Sequence, residues 1–305
     1  MHDALFALLP SFVLIALGFA LRRGRFLPET AWEAADRLVF FIFFPSLLLR
    51  DLATADLAAL PSLGAALAMA GAVLATTLLL LLLRQPAGLA GGAFAAVLQG
   101  SIRQNVYIGL AAGATLHGGR GATVVALAVA ATVPLVNVIS ALALAPKGHG
   151  ASRTLRAVLF NPLVVACAAG VALNGLIGGW SGAPLPPLVD PVLAALSRAA
   201  LPLGLISVGA GLDLLAAADS GRAMIVASLV KLGILPLLTW LALSLLGVGG
   251  VVAAVCVLFA AVPTSVSAYA MTRQMGGDHK LMAGIITVET LLAMATLPTW
   301  VLMLR

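Results

Sequence analysis

Three ionisable side chains interrupt stretches that are otherwise apolar: Arg103, Lys231 and Glu289. Each costs about 2.5 to 3.5 kcal/mol at the centre of a membrane helix, so a paired or functional role is the expectation for such a group. For Arg103 two readings stand side by side, compensation of the charge on a bound anion or an ion pair with Glu289. Glu289 is the only carboxylate well inside an apolar run, which makes it the candidate for binding and releasing a proton. Its alternative is a buried acid, neutral or paired with Arg103, with no such task. Lys231 starts about nine residues from the nearest charged boundary, close enough for its stem to snorkel outward, and it too keeps a structural reading.

Arg103 belongs to a polar stretch, Gln99-Gly100-Ser101-Ile102-Arg103-Gln104-Asn105-Val106-Tyr107, set in the middle of an apolar segment of about 25 residues. A second apolar segment carries Pro263-Thr264-Ser265-Val266-Ser267 at the comparable place, with Gln104 opposite Pro263. Proline removes a backbone donor and clashes with the preceding turn, so both segments are expected to break at mid-length. Free amides and carbonyls at membrane depth are tolerated only where protein or a water-filled cavity satisfies them. A half-helix starting near Asn105 or Thr264 aims its partly positive end at the gap, which suits a carboxylate. The candidate binding residues are therefore Arg103, Gln104, Asn105, Tyr107, Pro263, Thr264 and Ser265. A pair of kinks with polar residues joining helices is the plainer alternative.

The elements that would position these groups follow from composition. The chain has 305 residues, 62% hydrophobic and only 9% charged, with mean hydropathy +1.13. A soluble domain carries roughly 25% charge. With roughly 20 apolar residues per crossing, ten helices with short connections consume nearly the whole length. Their expected positions are 4–21, 33–49, 61–83, 92–116, 122–144, 158–177, 190–214, 223–246, 250–272 and 281–304. The first is a retained helix rather than a signal peptide, because Asp3 precedes it and Arg22, Arg23 and Arg25 follow it. Arg22, Arg23, Arg25, Arg84, Lys147, Arg153, Arg156, Arg222, Arg273 and Lys280 fall in alternate loops, against Arg50, Arg120 and Arg305 in the others. That asymmetry puts both termini on the periplasmic or extracellular side of an inner membrane.

The loop 146–157 separates a first half, 1–145, from a second, 158–305. Leu116-His117-Gly118-Gly119 is matched by Met275-Gly276-Gly277-Asp278, and Thr132-Val133-Pro134 by Thr296-Leu297-Pro298, about 160 residues on. Five helices per half make the second half inverted, an architecture of secondary transporters. Gly109 and Gly113 permit close helix approach, Pro45, Pro134, Pro202, Pro236 and Pro298 are expected kinks, and Asn137 and Asn161 read as caps or interhelical bonds.

Other classes are disfavoured. Lys147, Lys231 and Lys280 lack the glycines of a phosphate loop. His2, His117, His149 and His279 lie at ends or in loops, and Cys167 and Cys256 read as small core residues, so neither a metal site nor a cofactor is expected. The net charge of +6 is scattered as topology signals rather than as a nucleic-acid patch. A membrane-embedded enzyme would need more than one deep acid. A channel or uniporter for a neutral solute stays open as the alternative, since broken helices also build filters.

The ordered set Phe44-Pro45, Arg103 through Leu110, Pro134-Leu135-Val136-Asn137, Asn161-Pro162, Gly209 through Leu212, Lys231 with Pro236, and Pro263 through Tyr269 resembles the auxin efflux carrier family of permeases, in particular its bacterial members. The resemblance spans essentially the whole chain. It implies ten helices in a five-plus-five inverted repeat, a scaffold of helices 1, 2, 6 and 7, and a transport block of helices 3 to 5 and 8 to 10. Helices 4 and 9 are expected to cross at their breaks, with Asn105 and Pro263 at the family's asparagine and proline positions. Plant members usually have proline before that asparagine, where this chain has Gln104. Plant members carry indole-3-acetate and bacterial ones are associated with malate and malonate. The implied activity is thus movement of a small organic anion by alternating access, with a proton or sodium as coupling ion if there is one. Dimers are common in the family, which leaves a homodimer open.

Overall fold

The computed structural model describes residues 2–58, 62–85, 88–89, 91–144, 160–178, 180, 184–219 and 221–304. The loop 146–157, with Lys147, Arg153 and Arg156, lies outside the described residues, as does Arg305. Among the described residues the structure is all-helical, without a strand. Helix α1 is His2–Arg23, α2 Glu29–Leu38, α3 Phe44–Thr54, α4 Ser62–Leu83, α5 Gly91–Ile102 and α6 Val106–Leu144. The second half holds α7 Pro162–Gly178, α8 Asp190–Ala210, α9 Leu214–Asp219, α10 Gly221–Leu229, α11 Leu235–Leu245, α12 Gly250–Ala261, α13 Ser267–Gln274 and α14 His279–Met303. Five helical stretches, Leu63–Leu83, Gly91–Leu144, Asp190–Ala210, Gly221–Leu245 and His279–Met303, are long and apolar enough to cross a membrane. Their outer surface is what hydrocarbon requires: Leu245 is 87% exposed, and Leu63, Leu82 and Leu229 also face outward.

Two π-helical segments join helices into longer rods. Val39–Phe43 links α2 to α3 and Val230–Ile234 links α10 to α11, and in each the following residue, Phe44 or Leu235, donates back five positions to Val39 or Val230. Pro45 and Pro236 come immediately after, where the missing N–H leaves a carbonyl four residues back without its usual donor. For Pro236 that carbonyl is Leu232 O, and it accepts from Trp300 Nε1 at 2.9 Å. The proline kinks expected at these places are therefore wide turns.

Helix α6 turns sharply at His117 (φ −134°, ψ 15°) and Gly118 (φ 61°, ψ −150°). The second value lies in a region that side chains avoid, so glycine is needed there. Past the turn, a Cβ on Gly121 would lie 2.0 Å from Gly113 O, which shows how closely the two arms approach. The connection from α13 to α14 turns on Gly276 (φ 72°), and Asp278 Oδ1 then caps α14 by accepting from Leu281 N at 3.0 Å.

Helices α1, α3, α7 and α8 pack on one another. A Cβ on Gly18 would meet Ile206 O at 1.9 Å and one on Gly209 would meet Ile15 O at 1.7 Å, so α1 and α8 touch backbone to backbone. Asn174 Nδ2 of α7 donates to the carbonyls of Leu52, Ala53 and Ala55 at the end of α3, at 2.9, 3.1 and 2.6 Å. Arg50 of α3 holds Asp190, the first residue of α8, through Nε and Nη2 at 2.8 and 3.3 Å. The remaining long helices surround α5, α6, α12 and α13, whose broken ends meet at the centre.

Candidate functional site

Two interruptions face each other. The first is Arg103 to Asn105, between α5 and α6; the second is Val262 to Val266, between α12 and α13. They are tied directly: Asn105 N donates to Pro263 O at 2.9 Å, and Thr264 Oγ1 donates to Gly100 O. The first break forms without proline. Asn105 is the device that makes it, because its Oδ1 accepts from Tyr107 N at 3.1 Å and Ile108 N at 3.2 Å, capping α6 in the manner of an N-cap residue. The second break has its own cap from outside the segment, Glu289 Oε2 of α14 accepting from Thr264 N at 2.9 Å.

The opposite end of the second break also carries a charge. Lys231, on the π turn before α11, is wholly buried, and its Nζ donates to Ala260 O in the last turn of α12 at 2.7 Å. Lys231 and Glu289 lie within each other's field. A cation at the carboxyl end of one half-helix and an anion at the amide end of the next both oppose the local dipoles. Glu289 does not pair with Arg103, whose guanidinium instead lies 3.5 Å from Met271 Sδ. Among the described residues no carboxylate lies within ion-pair distance of Arg103.

Beside the crossing is a cavity enclosing about 440 Å³ of empty space, its open mouth included. Arg103, Gln104, Tyr107 and Ser265 line it, joined by Asn137, Asn161 and Ser267; Phe40, Val106, Val133, Val136 and Leu163 complete the wall. Gln104 is 4% exposed and its Nε2 has no hydrogen-bond acceptor among the described residues. A buried donor without a partner costs about 1 to 3 kcal/mol, so a site that keeps one is prepared for an acceptor. Tyr107 stacks on Phe44 of α3 with centroids 4.0 Å apart. Gly204 of α8 makes room for this stack, since its Cβ would sit 2.8 Å from Phe44 and 3.0 Å from Tyr107.

Of the residues singled out in the sequence, Arg103, Gln104, Tyr107 and Ser265 come together on the cavity. Asn105, Pro263, Thr264, Glu289 and Lys231 are in the crossing behind it, committed to the break itself. The amides of Tyr107, Ile108 and Thr264, expected to face an anion, are already occupied by Asn105 and Glu289, because a side-chain acceptor close in space satisfies them first. Sequence reasoning took Asn137 and Asn161 as structural. Asn161 does cap α7, accepting from Leu163 N at 3.0 Å, yet both line the cavity, as do Ser267 and Phe40. Only the tertiary packing of the Val39–Phe43 turn, α6, the start of α7 and α13 brings these four together.

The capping role of Asn105 has a measurable consequence. Asn105→Ala is expected to lower stability by about 1 to 2 kcal/mol, while Asn105→Ser, which keeps an oxygen for the same amides, stays within a few tenths of the wild type. Thermal melts of the purified variants in one detergent check this. Equal losses in both would remove the cap as the explanation.

Residues 151–301 match the family model described as Membrane transport protein. The chain is also 26% identical over 292 residues, 94% of its own length and 94% of the relative's, to an uncharacterized transporter of Methanothermobacter thermautotrophicus. With an all-helical fold, apolar outer faces and a polar cavity at paired helix breaks, these matches agree with the motifs from Phe44 to Tyr269. The chain is a multi-pass membrane transporter, and the two matches together with these motifs support the auxin efflux carrier family of permeases as its family.

Proposed function

We propose that the protein is a secondary carrier of a small organic anion, a carboxylate such as malate, malonate or an auxin-like acid, working by alternating access in an inner membrane. The observation that carries the reading is Arg103: among the described residues it is a half-buried guanidinium without a carboxylate partner, on the wall of a cavity that also holds Gln104 Nε2, a donor without an acceptor. A buried cation left unpaired is costly, and an anionic ligand removes that cost. Ser265, Ser267, Asn137, Asn161 and the Tyr107 hydroxyl offer further hydrogen bonds around a carboxylate, while Phe40 and the valines suit a short carbon skeleton.

In this reading the chain has ten membrane helices in two inverted halves, 1–145 and 158–305, joined by a cytoplasmic loop at 146–157, with both termini on the periplasmic side. Support comes from the paired breaks, from the paired turns on Gly118 and Gly276, and from the distribution of arginine and lysine. The α1, α3, α7 and α8 group, locked by its glycine contacts and by Asn174, serves as scaffold. The helices carrying the two breaks move against it, with the Phe44–Tyr107 stack as a contact made and broken across the boundary.

Counterflow in proteoliposomes tests the proposal: vesicles loaded with malate, malonate or indole-3-acetate are diluted into labelled tracer. Saturable tracer accumulation with at least one of these acids is expected. Tracer entry without counterflow would identify a channel instead, and no entry with any carboxylate would overturn the organic-anion reading.

A further inference from the structure

Carriers built on broken helices place their coupling cations at the free carbonyls of half-helix ends, where the local dipole is negative. In this chain that position is at the end of α12, and a side chain already fills it. Lys231 has no exposed surface, and its ammonium donates to Ala260 O at 2.7 Å. Its countercharge is supplied by Glu289, fixed in place by Thr264 N through Oε2. The second carboxylate oxygen, Glu289 Oε1, is buried without a hydrogen-bond partner among the described residues. Lys231 is not snorkelling: the π turn Val230–Ile234 that carries it directs the side chain inward, to the crossing.

We propose that Lys231 is a tethered cation occupying the seat of a coupling ion, so that this carrier runs without sodium, and that removing the ammonium opens an alkali-cation site formed by Glu289 and the carbonyl end of α12. The pair is neutral overall, and a mobile cation beside it would meet both the repulsion and the bulk of the lysine. Without the ammonium, Glu289 faces a void with an unmatched carboxylate and a free carbonyl, which is the donor set that hard cations take. The inference rests on the carrier reading, but its test needs no substrate.

Wild type and Lys231→Ala are melted in detergent in sodium chloride and in choline chloride at equal ionic strength. For the wild type the two curves should coincide. Lys231→Ala should melt lower in choline and regain about 5 °C in saturating sodium; the further variant Lys231→Ala/Glu289→Gln should lose that gain. A purely structural lysine would give a loss that sodium does not repair, and that outcome overturns the proposal. So would a sodium-dependent shift in the wild type. Should Lys231→Ala aggregate, Lys231→Gln, which keeps a donor for Ala260 O but no charge, takes its place with the same expected sodium response. Wild-type counterflow at equal rates in sodium and choline is the parallel expectation, and a tenfold fall in choline would refute it. Failure of every carboxylate in counterflow would leave the melting result standing, so the two readings fail separately.

Discussion

Gly209→Leu yields no folded carrier. The Cβ alone would sit 1.7 Å from Ile15 O and 2.9 Å from Phe19 N, both backbone atoms of α1. No rotamer change relieves such a clash, and the reciprocal contact of Gly18 with Ile206 O, 1.9 Å, fixes the helices from the other side. The pair must separate by several ångströms, which abandons the packing of Ile15, Leu205 and Val208, all nearly fully buried. Overpacking that side chains absorb costs about 1 to 3 kcal/mol; here backbone meets backbone, and the loss exceeds about 4 kcal/mol, in the range few single substitutions reach. Size-exclusion profiles of a fluorescent fusion read the result, with Gly209→Leu found as aggregate. Gly71→Ala is the control. Gly71 lies within α4 with nothing within 4 Å of an added Cβ, so alanine there is expected to be neutral or to gain up to about 1 kcal/mol from helix propensity. A monodisperse Gly209→Leu protein would mean that α1 and α8 are not locked, and with it the rigid scaffold would fall.

That contact shows where a single sequence stops being informative. Gly18 and Gly209 are 191 residues apart, and each sits in an apolar run where glycine has no local signature; only the pairing of α1 with α8 gives them meaning. The breaks are the opposite case. Pro263 announces an interruption by its own chemistry, and the density of Gln99, Ser101, Arg103, Gln104 and Asn105 announces one without proline, because so many polar groups cannot sit in an intact apolar helix. What the polar groups then do was less legible. Asn105 carries both an acceptor and a donor, and the sequence does not say that the acceptor turns to Tyr107 and Ile108 while the donor Nδ2 has no partner among the described residues. The π turns were visible only as prolines, since the choice between kink and wide turn depends on partners such as Trp300, 68 residues beyond Leu232. Likewise Glu289, open in the sequence to Arg103, takes Thr264 N instead.

Removing the charge of Arg103 should separate binding from stability in a way few substitutions can. The guanidinium is half-buried against Met271 with no carboxylate within ion-pair distance among the described residues, so Arg103→Gln relieves an uncompensated charge. The purified variant is therefore expected to melt at the wild-type temperature or above it. Its counterflow should collapse. A charge-assisted hydrogen bond to a carboxylate contributes about 1.5 to 3 kcal/mol, and leaving that carboxylate unpaired in a cavity of low polarity adds to the loss. An apparent affinity weaker by about 100-fold corresponds to about 2.7 kcal/mol. Arg103→Lys keeps a positive charge but not the planar fork, and should recover part of the affinity and none of the bidentate geometry. Half-saturation concentrations from counterflow, set beside melting curves of the same preparations, decide the matter. Lower stability with unchanged half-saturation would make Arg103 a packing residue. Gained stability with lost affinity would place the substrate's negative charge beside it, between Gln104 and Ser265.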